Sequence, residues 1–245
     1  MPAGRIVAAL LSAILALVAF ARLAAADELS LFHAAVEEFS AHNRVAIGYL
    51  RTENVELAAV EIERMRESWG ALAARFSAPP PPMRDNPAYV TTFVDVPTRL
   101  IGVLLMLKMS RPDLARDGLI AIRRELSDLR RASHVEVLAD CVLDANDAMD
   151  RLFGPREQPP PDLASAEATA GFARNAEAYG AAVRRCDAMA PPDIRAQGEF
   201  RRLADGIAAS LAQVPQALAA RDGDLLHRLL IELRSFDNLL AFRYG

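Results

Sequence analysis

The chain has 245 residues, with 28 basic and 32 acidic side chains and a formal charge of −4. At 52% hydrophobic and 24% charged, it is too apolar for a disordered chain and lacks the basic excess of a nucleic-acid binder. Two cysteines are too few for a small disulfide scaffold.

The first 26 residues read as an export signal. Arg5 supplies a positive start, Ile6 to Ala21 is almost wholly apolar, and Ala24-Ala25-Ala26 precedes Asp27 and Glu28. A basic start, a short apolar run and an A-x-A end predict a signal peptide, 1–26, cut after Ala26, and a periplasmic protein. No later segment is as long as the roughly 20 uncharged apolar residues of a membrane span. Leu100 to Leu107, the nearest, has the length of a buried helix.

The rest reads as helices. The first stripe is Phe32, Val36, Phe39, Ala46 and Leu50. Val55, Ala58, Ile62, Met65, Trp69, Leu72 and Phe76 then recur at steps of three and four, which puts them on one helical face. Further stripes run Ala115 to Leu129, Leu138 to Leu152, Phe172 to Cys186, and Phe200 to Leu218. The last is Leu225, Leu229, Leu233, Phe236 and Leu240. Asn54, Asp113 and Asp224 stand at or near helix starts as N-caps. Ser133-x-x-Glu136 fits a capping box and predicts a break before the next helix, which His134 would help to open. Pro97 and Pro215 fall inside apolar patterns and predict kinks or restarts.

These elements predict an all-α protein: an antiparallel up-down bundle of about eight helices. Short turns at 51–54, 110–113 and 221–224 predict antiparallel neighbours. Proline runs suggest a first four-helix domain over 27–153, a linker over 154–161, and a C-terminal bundle over 162–245 docked on the first. Arg51 to Val55 and Arg221 to Leu225 echo each other as helix-opening turns.

Tyr49-Leu-Arg-Thr-Glu-Asn-Val-Glu-Leu, followed by Glu63-Arg-Met-Arg-Glu-Ser-Trp69, resembles the first hairpin of the periplasmic four-helix cytochromes. These are cytochrome c-prime and its soluble b-type relative. The resemblance covers Asp27 to about Leu138 and implies a haem-binding bundle. His134 stands where that family has its iron ligand. Neither cysteine of Cys-x-x-Cys-His precedes it, which excludes covalent haem. The b-type relative takes a Met from its first helix, where this chain has Phe39. His42, one turn on, is the substitute. The resemblance thus implies non-covalent haem held by His42 and His134, in electron transfer or sensing.

Other groups have plainer readings. Cys141 and Cys186 either form a disulfide in an oxidising compartment or pack as small hydrophobes. A simple hairpin would put them at different heights. Asp140, Asp144 and Asp147 share one helical face and read as solvated. Met65 reads as core. No nucleophile elbow, phosphate loop or dinucleotide fingerprint occurs. The expectation is a non-enzymatic protein that binds an envelope partner or a small ligand.

Overall fold

The computed structural model describes residues 3–154 and 163–245, with side chains from Asp27 onward. The expected signal peptide therefore lies outside the described side chains, and the expected linker, Gly154 apart, lies outside the described residues. Among the described residues there are nine helices and no strand, an all-α helical bundle architecture.

The chain divides into two compact units, Met1–Val135 and Glu136–Gly245. The first holds α1 (Ala3–Arg51), α2 (Val55–Arg75), α3 (Ala88–Lys108) and α4 (Pro112–Ala132). Helix α1 packs on α2 and α4, and α3 packs on the same two, so the four close a ring. Their stripes meet in a core of Phe32, Phe39, Ile62, Met65, Trp69, Leu119 and Ile122. Aromatic rings order one end of it. Phe32 meets Phe76 edge-on at 5.3 Å, and Tyr89 stacks on Phe93 at 4.4 Å. The buried Tyr89 hydroxyl donates to the Phe76 carbonyl at 2.7 Å, which closes off the end of α2. Asn86, just before α3, donates to the Leu129 carbonyl and to Ser133 Oγ, tying that loop to the end of α4.

The second unit holds α5 (Leu138–Phe153), α6 (Ala166–Met189), the single turn α7 (Pro192–Arg195), α8 (Gly198–Ala220) and α9 (Gly223–Tyr244). Its long helices close a second ring, with α6 and α9 each packed on both α5 and α8. Gly206 permits a close approach there, because a Cβ on it would stand 2.7 Å from the Phe236 ring.

Four expectations are corrected. The unit boundary falls at Val135, not Phe153, because α5 packs on α6 and α9. The proline run was the louder signal, but the break is the short segment after α4. Ser133 caps the end of α4 and bonds the Leu129 carbonyl, so it opens no helix. The start of α5 is closed one turn later, where the Val137 N–H donates to Asp140 Oδ2 at 3.1 Å. Asp140 is consequently buried, not solvated. Finally, Leu100 to Leu107 is not an all-round buried segment: Ile101 and Leu105 are exposed. The two echoing turns join α1 to α2 and α8 to α9, the first hairpin of one ring and the last of the other. They share turn chemistry and no equivalent place.

Candidate functional site

His42 and His134 are not brought together. His42 lies on α1 with Nδ1 2.7 Å from Glu61 Oε2 of α2. Glu61 also accepts from Arg64 Nη1 at 2.7 Å, so its buried carboxylate braces the α1–α2 contact. Asn43, the next residue, donates to the Leu119 carbonyl and marks the level of His42 on α4. His134 follows the far end of α4, about 20 Å along at 1.5 Å per residue. An axial pair must share one iron, and this spacing prevents it.

His134 does a different job. Its φ of 55° is left-handed, and it is exposed. Its N–H donates to the Arg131 carbonyl, and the Val135 N–H donates to the Arg130 carbonyl. That pattern closes a helix C-terminus, at a position where glycine is usual. The expected opening residue is thus a closing one. His134→Gly is expected to raise the stability of the first bundle by about 1 kcal/mol, by removing the left-handed Cβ cost. A denaturant melt reads this directly; a loss of stability would mean that the imidazole makes a contact of its own.

Cys141 and Cys186 are joined, with Cα atoms 5.4 Å apart. The height mismatch disappears because α6 overhangs the end of α5. Asn175 donates to the Arg151 carbonyl, and Arg185 pairs with Asp144 at 2.5 Å, in the same antiparallel register as the cystine. Asp144 therefore works as an interhelical partner.

Two features of the second bundle escaped the sequence reading. The first is a polar cluster in the core. Asp237 of α9 is 1% exposed and accepts from Asn146 Nδ2 of α5 at 2.6 Å. Arg234 stands 3.5 Å from Asp237 and 2.7 Å from Asp150, with its guanidinium over the Phe153 ring. Tyr179 of α6 is fully buried beside them. Burial raises its hydroxyl pKa, and the Asp237 charge raises it further. Asp237 sits at core spacing between Leu233 and Leu240, and that was the available signal.

The second feature is an open groove between α6 and α8. Gly180, Val183, Ala204, Ile207 and Leu211 form its floor, and Pro215 stands toward one end. Its main part has a volume of about 420 Å³, continuous with a second part of about 270 Å³ that reaches Leu218. Small residues create it: Ala204, Ala208 and Ala212 stand one turn apart on α8, opposite Gly180. The rim is charged. Arg184 pairs with Glu177 at 2.6 Å, and Arg201 pairs with Asp187 at 2.7 Å.

No family model matches this chain, and neither curated proteins nor solved structures give a significant match.

The resemblance to the four-helix cytochromes therefore rests on the first hairpin alone. Among the described residues no group of three His, Cys, Asp or Glu side chains is placed to hold a metal ion. The groove offers an apolar floor, a rim of both charges, and a volume in the range of small-molecule sites.

Proposed function

We propose that this chain is an exported, non-enzymatic binding protein whose second bundle seats a small amphiphilic ligand between α6 and α8. The observation that carries this reading is the open groove, with its floor of Gly180, Val183, Ile207 and Leu211 and the paired charges at its edge. A ligand with an apolar body would lie along the floor and direct a polar end to Arg184 or Asp205. Two features support export: the basic start with its apolar run from Ile6 to Ala21, and the Cys141–Cys186 bridge, which persists in an oxidising compartment. The absence of any catalytic motif in the sequence supports a binding role.

The test uses anilinonaphthalene sulfonate, a fluorescent probe with an apolar body and one negative charge. Ala208 lines the groove and is exposed, so Ala208→Trp fills the groove and leaves the core alone. Binding by the purified chain is expected to weaken at least about tenfold in Ala208→Trp, the loss expected when one good apolar contact is removed. Glu67→Ala, on exposed α2 surface of the other bundle, is expected to leave it unchanged. Probe binding that is equal in Ala208→Trp and the parent overturns the assignment of the site.

A further inference from the structure

Helix α3 buries Tyr89, Thr92, Val96, Leu100 and Val103 in the first bundle. Its other face is also apolar. Val90 is 68% exposed, Val94 61%, Ile101 62% and Leu105 51%. Contiguous exposed apolar surface of this kind is often a functional contact face. The outward positions 91, 94, 98, 101, 105 and 108 step by three, four, three, four and three, the spacing of a coiled-coil seam. Thr91, Val94, Thr98, Ile101 and Leu105 occupy it up to Lys108, with exposed Val90 beside it.

That spacing reads the same from either end. A second α3 laid antiparallel on the first therefore places seam residue on seam residue: Val94 on Leu105, Thr98 on Ile101, and Thr91 on Lys108. A self-complementary face about a two-fold axis is the commonest form of homo-oligomer contact. Charge agrees with it. Lys108, the single lysine of the chain, stands at the C-terminal end of the seam, and exposed Asp85 stands in the turn before its N-terminal end. Antiparallel packing brings the lysine of one copy toward the acid of the other at both ends. Arg99, at the level of the axis, is drawn to α4 by its pair with Glu125 at 2.7 Å, off the seam.

A lipid surface fits less well. The helix is long and apolar enough by composition to cross a membrane, but it is one wall of a closed bundle. Its charged residues are Asp95, Arg99 and Lys108, without the basic face of a helix that lies on anionic lipid.

We propose that the exposed seam of α3 is a self-association surface, on which two copies of this chain pack antiparallel about an axis near Arg99. The strip is about 30 Å long and about 10 Å wide, or about 300 Å² per copy before neighbouring side chains add to it. Twice that area is below the roughly 1,000 Å² of a stable interface, which makes the pair a weak and reversible one. The pair is therefore expected to have a dissociation constant in the micromolar range or weaker.

Sedimentation velocity on the purified full chain, from about 1 µM to about 1 mM, reads this, since 1 µM to 1 mM spans the weak range of association. The expected result is a mass rising from monomer toward dimer, with Ile101→Asp and Val94→Asp each weakening the pair at least about tenfold. Both side chains are more than half exposed, so circular dichroism and the melting temperature should stay at parent values. Ile231→Asp, on α9, should leave association unchanged. Zero-length carbodiimide coupling of a mixed heavy- and light-isotope sample is expected to join Lys108 of one copy to Asp85 of the other. A monomer at every concentration overturns the proposal, and so does association that persists in both seam variants. Monomeric chain that floats with neutral lipid vesicles, and loses that with Ile101→Asp, also overturns it and assigns the face to lipid.

Discussion

Removing the Cys141–Cys186 bridge is expected to lower the stability of the second bundle by about 4 kcal/mol and to leave the first bundle unchanged. The bridge closes a sequence separation of 45 residues, and on the chain-entropy account a loop of that length is worth about this much. It also pins α5 to α6 at the register set by Asn175 and Arg185. Both cysteines are buried, so paired alanines would leave a small void as well. The measurement is amide hydrogen exchange on the parent, the reduced chain and the Cys141→Ala/Cys186→Ala variant. Faster exchange confined to 136–245 is the expected pattern. Equal loss of protection in α1 to α4 would show that the two units unfold as one.

Asp237→Ala is expected to cost the same bundle about 3 kcal/mol, because it leaves the half-buried Asn146 amide without its charged acceptor and takes a partner from Arg234. Arg234 keeps Asp150 and the Phe153 ring, which holds the loss below that of a wholly orphaned charge. The informative comparison is Asn146→Leu/Asp237→Leu. Replacing both partners by apolar groups removes the buried polar demand, so this double variant is expected to recover most of the loss. Denaturant midpoints of the single and double variants measure it. A double variant as unstable as Asp237→Ala would show that Tyr179 also depends on the carboxylate.

Much of the fold was legible because helical stripes are a long-range repeat, and their packing faces follow from spacing. Phe32, Ile62, Met65, Leu119 and Leu203 all lie in the cores their spacing predicts. The turns at 51–54, 110–113 and 221–224 join neighbouring antiparallel helices for the same reason. What failed was local. On α9 the apolar stripe runs through Phe236, but the buried position is Asp237. A hydrophobicity count prefers the aromatic ring, whereas an acid with Asn146 and Arg234 as partners can occupy the core position. The start of α9 is capped by Asp222, whose side chain accepts from the Leu225 N–H, two residues before the expected Asp224. His134 was read as an opening residue because Ser133 and Glu136 spell a cap, although the left-handed turn belongs to the helix before them. The groove had its own signal in Ala204, Ala208 and Ala212, a row of small residues that composition alone renders as ordinary helix. The haem reading depended on two histidines being close, and distance between helices cannot be read from position along them.

Each ring is built from one uninterrupted stretch of chain, and that sets an order of assembly. Helices α1 and α4, which close the first ring, both lie before Glu136. A chain emerging N-terminus first can therefore complete one bundle while the other is still being made. That first bundle contains no thiol, so it matures independently of redox conditions. The later stretch carries two cysteines and hence a single pairing. An oxidant is all it requires, because there is no wrong partner from which a shuffling enzyme would have to rescue it.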